Sequence, residues 1–277
     1  MIYILTALRP EADGLIKQYQ LKKVKDKPFE VFSSEKMKLV VSGVGKINAA
    51  AATSYILSDS DINYNHEDFF LNFGICGTLK KELTVGEMFL CNKVLDYETK
   101  ECFFSDILLE YDLEEETIQS IDHLHQKFDF LEALVDMEAS SAFKISSKFL
   151  NTHQIYVVKI VSDLAYKKNN EKLSKQFVLE IVDKNINKVV DFIDKTVLFL
   201  KSYQMLFQKR DSEFIEMLSI SLNLTFSQKE QLKNAYCFYK ANKGCEPSFL
   251  EEFLIIKPKN SKERNAIFDQ IKQKLYS

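Results

Sequence analysis

Arginine is scarce in this chain of 277 residues. Of its 37 basic residues only three are arginines, Arg9, Arg210 and Arg264, and only Arg9 comes before residue 200. The planar guanidinium group matches phosphate oxygens better than the lysine ammonium does, because it donates two parallel hydrogen bonds. A phosphate site built on arginine is therefore hard to place in residues 1–200.

Long apolar runs and an excess of positive charge are missing as well. No stretch reaches about 18 consecutive apolar residues, the length that a membrane-spanning helix needs, and no basic segment precedes the apolar residues 2–5, as it would in a signal peptide. The net charge of -3 provides no positive field that would attract nucleic acid or an anionic membrane. We therefore expect a cytoplasmic protein that binds neither nucleic acid nor a membrane.

The cysteines and histidines form no metal-binding pattern. Five cysteines occur without a Cys-x-x-Cys pair and without a histidine at zinc spacing. His123 and His125 have no third ligand near them in the sequence, which is typical of a solvated pair. We expect reduced thiols, no metal site and no cofactor.

Apolar runs alternate with helical periodicities over the first part of the chain. Runs rich in Ile, Val, Leu and Phe predict buried strands at residues 2–6, 38–42, 69–73, 86–94, 133–137 and 155–161. Apolar residues at helical spacing predict helices at residues 11–20, 46–57, 140–150 and 188–200. This alternation is typical of an α/β fold with a parallel or mixed sheet, in which ligands bind at the carboxyl ends of the strands.

The last part of the chain has a different character. Residues 203–277 contain 12 basic and 9 acidic residues, whereas residues 1–202 contain 25 and 31. Ser227 is a candidate N-cap and Gly244 a candidate helix stop, and helical patterns without strand patterns occupy residues 214–222, 227–240 and 262–275. We therefore expect an α/β domain over residues 1–202 and a small helical extension over residues 203–277.

Acidic residues follow several predicted strands. Glu11 comes after the first strand, Asp136 and Glu138 end or follow the fifth, and Asp163 follows the sixth. Each has an ordinary explanation, because acids stabilise helix N termini and aspartate is a common N-cap. Each is also a candidate for acid–base chemistry. Residues 42–46, with two glycines between a strand and a helix, form either a tight turn or an anion-binding helix start.

Six segments of the first two hundred residues carry a recognisable pattern. They read ILTALRPE (4–11), SGVGKINAAA (42–51), NFGICGTL (72–79), VGE (85–87), VDMEA (135–139) and SD (162–163). Together and in this order they resemble the nucleoside phosphorylase and nucleosidase superfamily, most closely its 5'-methylthioadenosine/S-adenosylhomocysteine nucleosidase branch. The resemblance implies a three-layer αβα sandwich around a mixed central sheet, and a homodimer or higher homo-oligomer.

The resemblance also implies roles for individual residues. Asp163 matches the acid that protonates the purine at N7, and Ser162 helps to orient it. Glu138 matches the carboxylate that holds the ribose hydroxyls, Met137 packs on the sugar, and Glu11 helps to activate the attacking water. Further contacts with the nucleoside are implied for Val44, Ile75, Cys76, Gly77, Val135, Asp136, Lys159 and Ala165.

Two enzyme activities are compatible with this resemblance. Hydrolysis of 5'-methylthioadenosine or a related 5'-modified adenosine is favoured, because Asn72 and Glu11 stand where phosphorylases carry arginines, and a carboxylate repels phosphate. Lys46 or Lys159 would be the alternative source of positive charge. A purine nucleoside phosphorylase is therefore the second hypothesis.

Departures from the family pattern keep a third hypothesis open. Ile75 replaces a serine, Asp136 a glutamate and Lys159 an arginine, and residues 96–134 form a shorter and poorly matched stretch. A protein with these changes could bind a nucleoside or a protein partner on the same fold without turnover.

Overall fold

The structure is a computed structural model that describes residues 1–58, 67–122, 133–164, 174–204 and 208–276. The chain divides into two compact units, Met1–Leu200 and Lys201–Ser277. The first unit contains a sheet with helices on both faces, and the second is helical. Each unit has hydrophobic core clusters of its own.

One mixed sheet forms the centre of the first unit. Its strands among the described residues are β1 (Ile2–Thr6), β2 (Lys22–Val24), β3 (Glu30–Ser33), β4 (Met37–Val41), β5 (Phe69–Thr78), β6 (Met88–Asp96), β7 (Cys102–Phe104), β8 (Glu114–Ser120), β9 (Leu134–Asp136) and β10 (Ile155–Leu164). The strand order is β10-β6-β8-β9-β5-β1-β4-β3-β2, with β7 paired to β6 and β10 paired to β5 as well. Five strands, β5, β9, β8, β6 and β10, thus form a closed ring, and β1, β4, β3 and β2 extend from it.

Helices cover both faces of the sheet. They are α1 (Arg9–Gln18), α2 (Lys46–Ser58), α3 (Ala139–Ser146) and α4 (Lys175–Gln204). Apolar side chains of α1 and α4 share one core cluster with the sheet, and those of α2 and α3 share another. Pro10 fits the first turn of α1, where a backbone N–H has no partner in the helix. The predicted three-layer αβα sandwich with a mixed sheet is confirmed.

The sequence-based strand predictions were incomplete. They missed β2, β3, β7 and β8, and they ended β5 and β10 too early. Strand β8 escaped notice because its sequence, EEETIQS, starts with three glutamates although its last three residues are buried. Helix α4 begins at Lys175, well before the predicted residue 188, and the predicted helix ending at residue 150 ends at Ser146.

The second unit consists of helices and a short 3-10 segment in its described residues. They are α5 (Lys209–Ser221), α6 (Phe226–Lys243), the 3-10 segment Ser248–Phe253 and α7 (Ser261–Tyr276). The N-cap of α6 is Thr225, whose hydroxyl accepts a hydrogen bond from the backbone N–H of Gln228, so the expected Ser227 cap was wrong by two residues. Gly244 ends this helix with a φ of 66°, as expected. Across the described ranges of both units, no helix is long and apolar enough to cross a bilayer.

Candidate active site

A cavity of about 250 Å³ lies at the carboxyl ends of β5, β9 and β10. This volume is slightly below the range of about 300–1,000 Å³ that is usual for small-molecule sites, so the cavity suits only a small ligand. Its polar lining residues are Glu11, Asp136, Glu138, Ser162 and Asp163. The other lining residues are Ala7, Leu8, Val44, Ile75, Cys76, Gly77, Ile121, Val135 and Met137.

The cavity brings together all but two of the residues that the sequence singled out. Lys159 is not a lining residue of the cavity. Its side chain is buried beneath the lining, with 2% of the residue exposed, and its ammonium group is paired with Asp136. Ala165 lies outside the described residues. Residues from β5, β9, β10 and the exits of β1 and β4 thus meet at one place, although they are distant in the sequence.

Backbone N–H groups from two segments hold the carboxylate of Glu11. Its Oε2 accepts hydrogen bonds from Ala7 (2.8 Å) and Leu8 (2.7 Å), and its Oε1 accepts one from Ile75 (2.9 Å). Burial raises the pKa of Glu11, and these hydrogen bonds and the charge of Lys159 only partly offset the rise. A carboxylate has about four lone-pair sites, so one acceptor position remains on Oε1. Glu11 is a carboxylate in a fixed position with room for one further hydrogen-bond donor.

Gly74 leaves the space that the Glu11 carboxylate occupies. A Cβ atom at this position would lie 2.7 Å from Oε1 and 3.0 Å from Cδ of Glu11. We therefore expect Gly74→Ala to displace the carboxylate and to lower kcat roughly 100-fold, the scale of loss caused by a misplacement of about 1 Å in an active site.

The matched control for this substitution is Gly14→Ala. A Cβ atom there would meet the Cδ1 atom of Ile186 at 3.0 Å, the end of a flexible side chain. Steady-state kinetics should show parental activity for Gly14→Ala and a large loss for Gly74→Ala. Equal activity of the two variants would mean that the position of Glu11 does not matter.

Asp163 and Ser162 reach the cavity through an irregularity in β10. The register between β10 and β5 shifts between Val161 and Asp163, and such a bulge turns consecutive side chains toward one site. The Ser162 hydroxyl lies 2.6 Å from Oδ1 of Asp163 and 3.0 Å from the carbonyl oxygen of Cys76. The hydroxyl therefore fixes the orientation of the Asp163 carboxyl group.

Glu138 is held by the glycine-rich segment that follows β4. Its Oε1 accepts a hydrogen bond from the backbone N–H of Gly45 (2.8 Å), and its Oε2 accepts one from Met137 (3.3 Å). Gly43 and Gly45 have φ angles of 83° and 105°, which favour glycine. The segment is therefore a tight turn that also supplies a donor to the site. Burial, together with the negative charge of Asp136, raises the pKa of Glu138 to about 7.

Asp136 and Lys159 form a buried ion pair beneath the cavity. The Lys159 Nζ atom lies 2.8 Å from Oδ2 of Asp136, and both side chains are almost fully buried. The same carboxylate accepts hydrogen bonds from Ser120 Oγ (2.5 Å) and from the backbone N–H of Ala139 (2.9 Å). Its oxygens are therefore engaged within the protein. Burial lowers the pKa of Lys159, but the neighbouring carboxylates raise it more, so that the ammonium form persists.

Two further cations of the first unit are also paired with carboxylates, namely Lys46, which the sequence suggested for phosphate, and Arg9, the one arginine before residue 200. Lys46 Nζ lies 2.9 Å from Asp96 Oδ2 and 3.4 Å from Asp122 Oδ1, and it forms a further ion pair with Glu98. Arg9 donates to Asp13 (2.6 Å) and Glu30 (2.7 Å). A phosphate dianion would have to compete with these carboxylates for either cation.

Several contributors to the site were missed by the sequence analysis. Ala7 and Leu8 act through backbone N–H groups, which leave no residue-type signal. Ile121 lines the cavity at the exit of β8, a strand whose charged start hid it. The Gly45 donor was visible only as one of two interpretations of a glycine-rich turn.

The acids of the cavity are not arranged as metal ligands. In the described ranges of the chain, no group of three or more His, Cys, Asp or Glu side chains is placed to hold a metal ion. Glu11 and Glu138 are held by backbone donors, and Asp136 by Lys159 and hydrogen bonds. What the site offers chemically is proton transfer, carboxylate charge and hydrogen bonding.

Structural comparison finds this fold in nucleosidases. No family model matches the sequence, and no curated protein sequence is similar to it. Similar solved structures include the 5'-methylthioadenosine/S-adenosyl homocysteine nucleosidase of Campylobacter jejuni, with TM-score 0.57 and 17% identity over 70% of this chain and 98% of that one. The corresponding Neisseria meningitidis nucleosidase, in complex with methylthio-immucillin-A, gives TM-score 0.56 and 22% identity over 70% and 98%.

A third similar structure is futalosine hydrolase from Helicobacter pylori strain 26695. It gives TM-score 0.57 and 15% identity, and the match covers 70% of this chain and 97% of that one. The covered share is close to the 200 of 277 residues in the first unit. The chain therefore contains a nucleosidase fold together with a part that has no counterpart in these neighbours.

Proposed function

We propose that the protein is an N-ribosyl hydrolase that cleaves the glycosidic bond of a purine nucleoside, with 5'-methylthioadenosine or a related 5'-modified adenosine as the substrate. The observation that carries this proposal is the convergence of Glu11, Glu138 and Asp163 on one cavity, each fixed by its own hydrogen bonds. Three separately supported carboxyl groups provide an acid, a base and a charge for the sugar. The nucleosidase fold supports the same assignment.

Asp163 protonates the leaving purine. A purine departs more readily when N7 is protonated, and Asp163 lies at the cavity with its carboxyl group oriented by Ser162. General acid catalysis of this kind typically contributes about 10²–10⁴-fold to the rate.

The two glutamates act on the other two groups, Glu138 on the ribose and Glu11 on the attacking water. Positive charge develops on the ribose as the glycosidic bond breaks, and the carboxylate of Glu138 stabilises it while accepting hydrogen bonds from the ribose hydroxyls. The open acceptor position on Glu11 is suited to a water molecule, whose proton it removes during attack on the sugar.

The pairing of the cations favours water over phosphate as the nucleophile. Lys46, Lys159 and Arg9 are all engaged by carboxylates, and Glu11 would repel a phosphate dianion. Each of these three cations would have to leave its carboxylate partner to hold phosphate, as the phosphorylase hypothesis requires.

A product assay tests the proposal. The purified protein would be incubated with 5'-methylthioadenosine, S-adenosylhomocysteine, adenosine, inosine and guanosine, with and without phosphate, and the products identified by mass. We expect free base and unphosphorylated sugar at a rate independent of phosphate. Sugar 1-phosphate would establish phosphorolysis instead. Nucleoside binding without any product would establish a binding protein.

The remaining expectations belong to this proposal as well. They are a cytoplasmic location, action as a homodimer or higher homo-oligomer without a cofactor, and the division into a catalytic domain over residues 1–202 and an extension over residues 203–277.

The raised pKa of Glu138 predicts how activity depends on pH. Because Glu138 acts as a carboxylate, kcat/KM should fall as the pH drops below about 7, where this group becomes protonated. A pH–rate profile of the parent measures this limb. If kcat/KM does not fall below about pH 7, protonation of Glu138 does not limit the rate.

The raised pKa of Glu138 also affects stability, which should decrease with rising pH whereas activity increases. The folded protein binds the Glu138 proton more tightly than the unfolded chain, whose pKa is near 4.5. The free energy of unfolding should therefore fall as the pH rises from about 4.5 to 7. Denaturant unfolding at several pH values measures the slope, which Glu138→Gln should reduce.

A further inference from the structure

Gln119 is a buried amide without a hydrogen-bond partner. The residue is 0% exposed, and neither its Oε1 nor its Nε2 has a partner, unlike most buried side chains of the described ranges. A buried amide that makes no hydrogen bond destabilises a fold, and leucine would fill the same space without that cost. Exceptions of this kind are expected at functional sites, where a ligand supplies the missing partners.

The strand register places Gln119 next to the cavity. Gln119 pairs with Val135, Val135 with Gly77, and Gly77 with Asp163, so these residues form one row across four strands. Residues in register project from the same face of a sheet. The other three members of the row all line the cavity, whereas Gln119 is fully buried and lies beside the lining residues, not among them.

A second neighbour confirms the face on which Gln119 lies. Ile121 comes two residues later, directly after the end of β8, and it also lines the cavity. The flanking residue Ile118 projects to the opposite face, where it joins the core cluster of α2 and α3. Gln119 is thus bounded on two sides by lining residues.

The row also indicates which part of a nucleoside lies near Gln119. Asp163 and Gln119 stand at its two ends, separated by three strand spacings, or at most about 14 Å along the sheet. The residues proposed for the sugar, Met137 and Glu138, lie beyond the end of β9 and outside this row. A purine placed between the two ends, with N7 toward Asp163, turns its pyrimidine ring toward Gln119.

We propose that Gln119 determines base specificity by hydrogen bonding to N1 and the 6-substituent of the purine. A carboxamide offers one acceptor and two donors, which matches adenine, with its 6-amino group beside N1, and equally a 6-oxo purine when the amide is turned over. Purine without a 6-substituent leaves half of the amide unpaired. This inference rests on the proposed function, because that function sets the direction of N7.

Gln119→Leu tests the inference, with Gln154→Leu as a matched control. Gln154 is an equally buried glutamine away from the cavity, but its amide is satisfied by the carbonyl of Asp68 (2.6 Å) and by Asn151 (3.0 Å). The probes are adenine and unsubstituted purine, compared by ligand-induced thermal shift, and 5'-methylthioadenosine and its analogue without the 6-amino group, compared by kcat/KM.

We expect the parent to prefer the 6-amino compounds by roughly 10- to 100-fold, the range for one or two well-made hydrogen bonds. Gln119→Leu should abolish this preference and leave the melting temperature of the free protein equal or higher. Gln154→Leu should lower the melting temperature and retain the preference. A parent without the preference, a Gln119→Leu variant that keeps it, or one as destabilised as Gln154→Leu would each overturn the inference.

The measurements distinguish a failure of the proposed hydrolase activity from a failure of the proposed role of Gln119. If the parent cleaves none of the nucleosides, the proposed hydrolase is contradicted, but the preference for adenine over purine in the thermal-shift measurement still decides the role of Gln119. If the parent cleaves nucleosides and Gln119→Leu retains the preference, only the role of Gln119 is contradicted.

Discussion

Asp163→Asn should remove nearly all turnover and leave the folded protein intact. Asparagine keeps the shape of the side chain and an oxygen that accepts the Ser162 hydrogen bond, but it has no acidic proton to give to N7 of the purine. We expect kcat to fall by about 10²–10⁴-fold, the usual contribution of a general acid.

Two measurements separate this chemical effect from a structural one. Thermal unfolding of Asp163→Asn should resemble that of the parent, and Asp112→Asn, which changes an exposed acid of the same unit, should alter neither stability nor rate. Parental turnover of Asp163→Asn would remove the acid from the mechanism. A large loss of stability would assign the carboxyl group to the fold instead of to the leaving group.

A substrate that leaves without protonation provides a further check. If Asp163 acts on N7, a nucleoside with a good leaving group such as 4-nitrophenol in place of the purine should be cleaved almost as well by Asp163→Asn as by the parent. Equal loss on both substrates would mean that the substitution disturbs the sugar subsite.

Local sequence determined much of the fold and of the site. Glu11, Glu138 and Asp163 could be found because each follows an apolar run that is readable as a strand, and because strand exits gather ligands in α/β folds. The two glycines in residues 42–46 indicated a turn, because glycine is favoured where φ is positive, and both have positive φ in the structure.

Other parts of the site depend on tertiary contacts that no local pattern encodes. The donors to Glu11 are backbone N–H groups of Ala7, Leu8 and Ile75, which any residue type provides. Gln119 lies on a strand whose glutamate-rich start lacks an apolar signal. Lys159 was expected at the substrate because it stands where the family that the sequence resembles has an arginine, but only the structure shows Asp136 as its partner.

Removing one partner of the Lys159–Asp136 pair is expected to destabilise the first unit strongly. Lys159→Met would leave the Asp136 carboxylate buried without its cation. Removing one partner of a buried ion pair costs about 3–5 kcal/mol, a large fraction of the roughly 5–15 kcal/mol that holds a typical domain together. Denaturant unfolding should therefore show a marked loss of stability. Lys195→Met, which breaks an exposed pair with Asp191, should have little effect on stability, because water and salt screen exposed pairs.

A second substitution distinguishes charge from packing in this pair. Lys159→Met combined with Asp136→Asn removes both charges. The asparagine oxygen can still accept the hydrogen bond from the Ala139 N–H, and the asparagine amide can donate to the Ser120 hydroxyl, which then accepts instead of donating. The double variant should recover most of the lost stability, because no unpaired charge remains buried. A double variant as unstable as Lys159→Met alone would mean that the lysine stem, not its charge, supports the core.

The recovered double variant also measures what Lys159 does for catalysis. The charge of Lys159 lowers the pKa of both Glu11 and Glu138, whereas that of Asp136 raises the pKa of Glu138. When Lys159→Met and Asp136→Asn are combined, the two changes shift the pKa of Glu138 in opposite directions. The pKa of Glu11 should only rise, because it loses the nearby lysine charge, so that more of Glu11 is protonated near neutral pH. We therefore expect kcat to reach its plateau at a higher pH than in the parent. An unchanged pH–rate profile would mean that Lys159 acts on the fold alone.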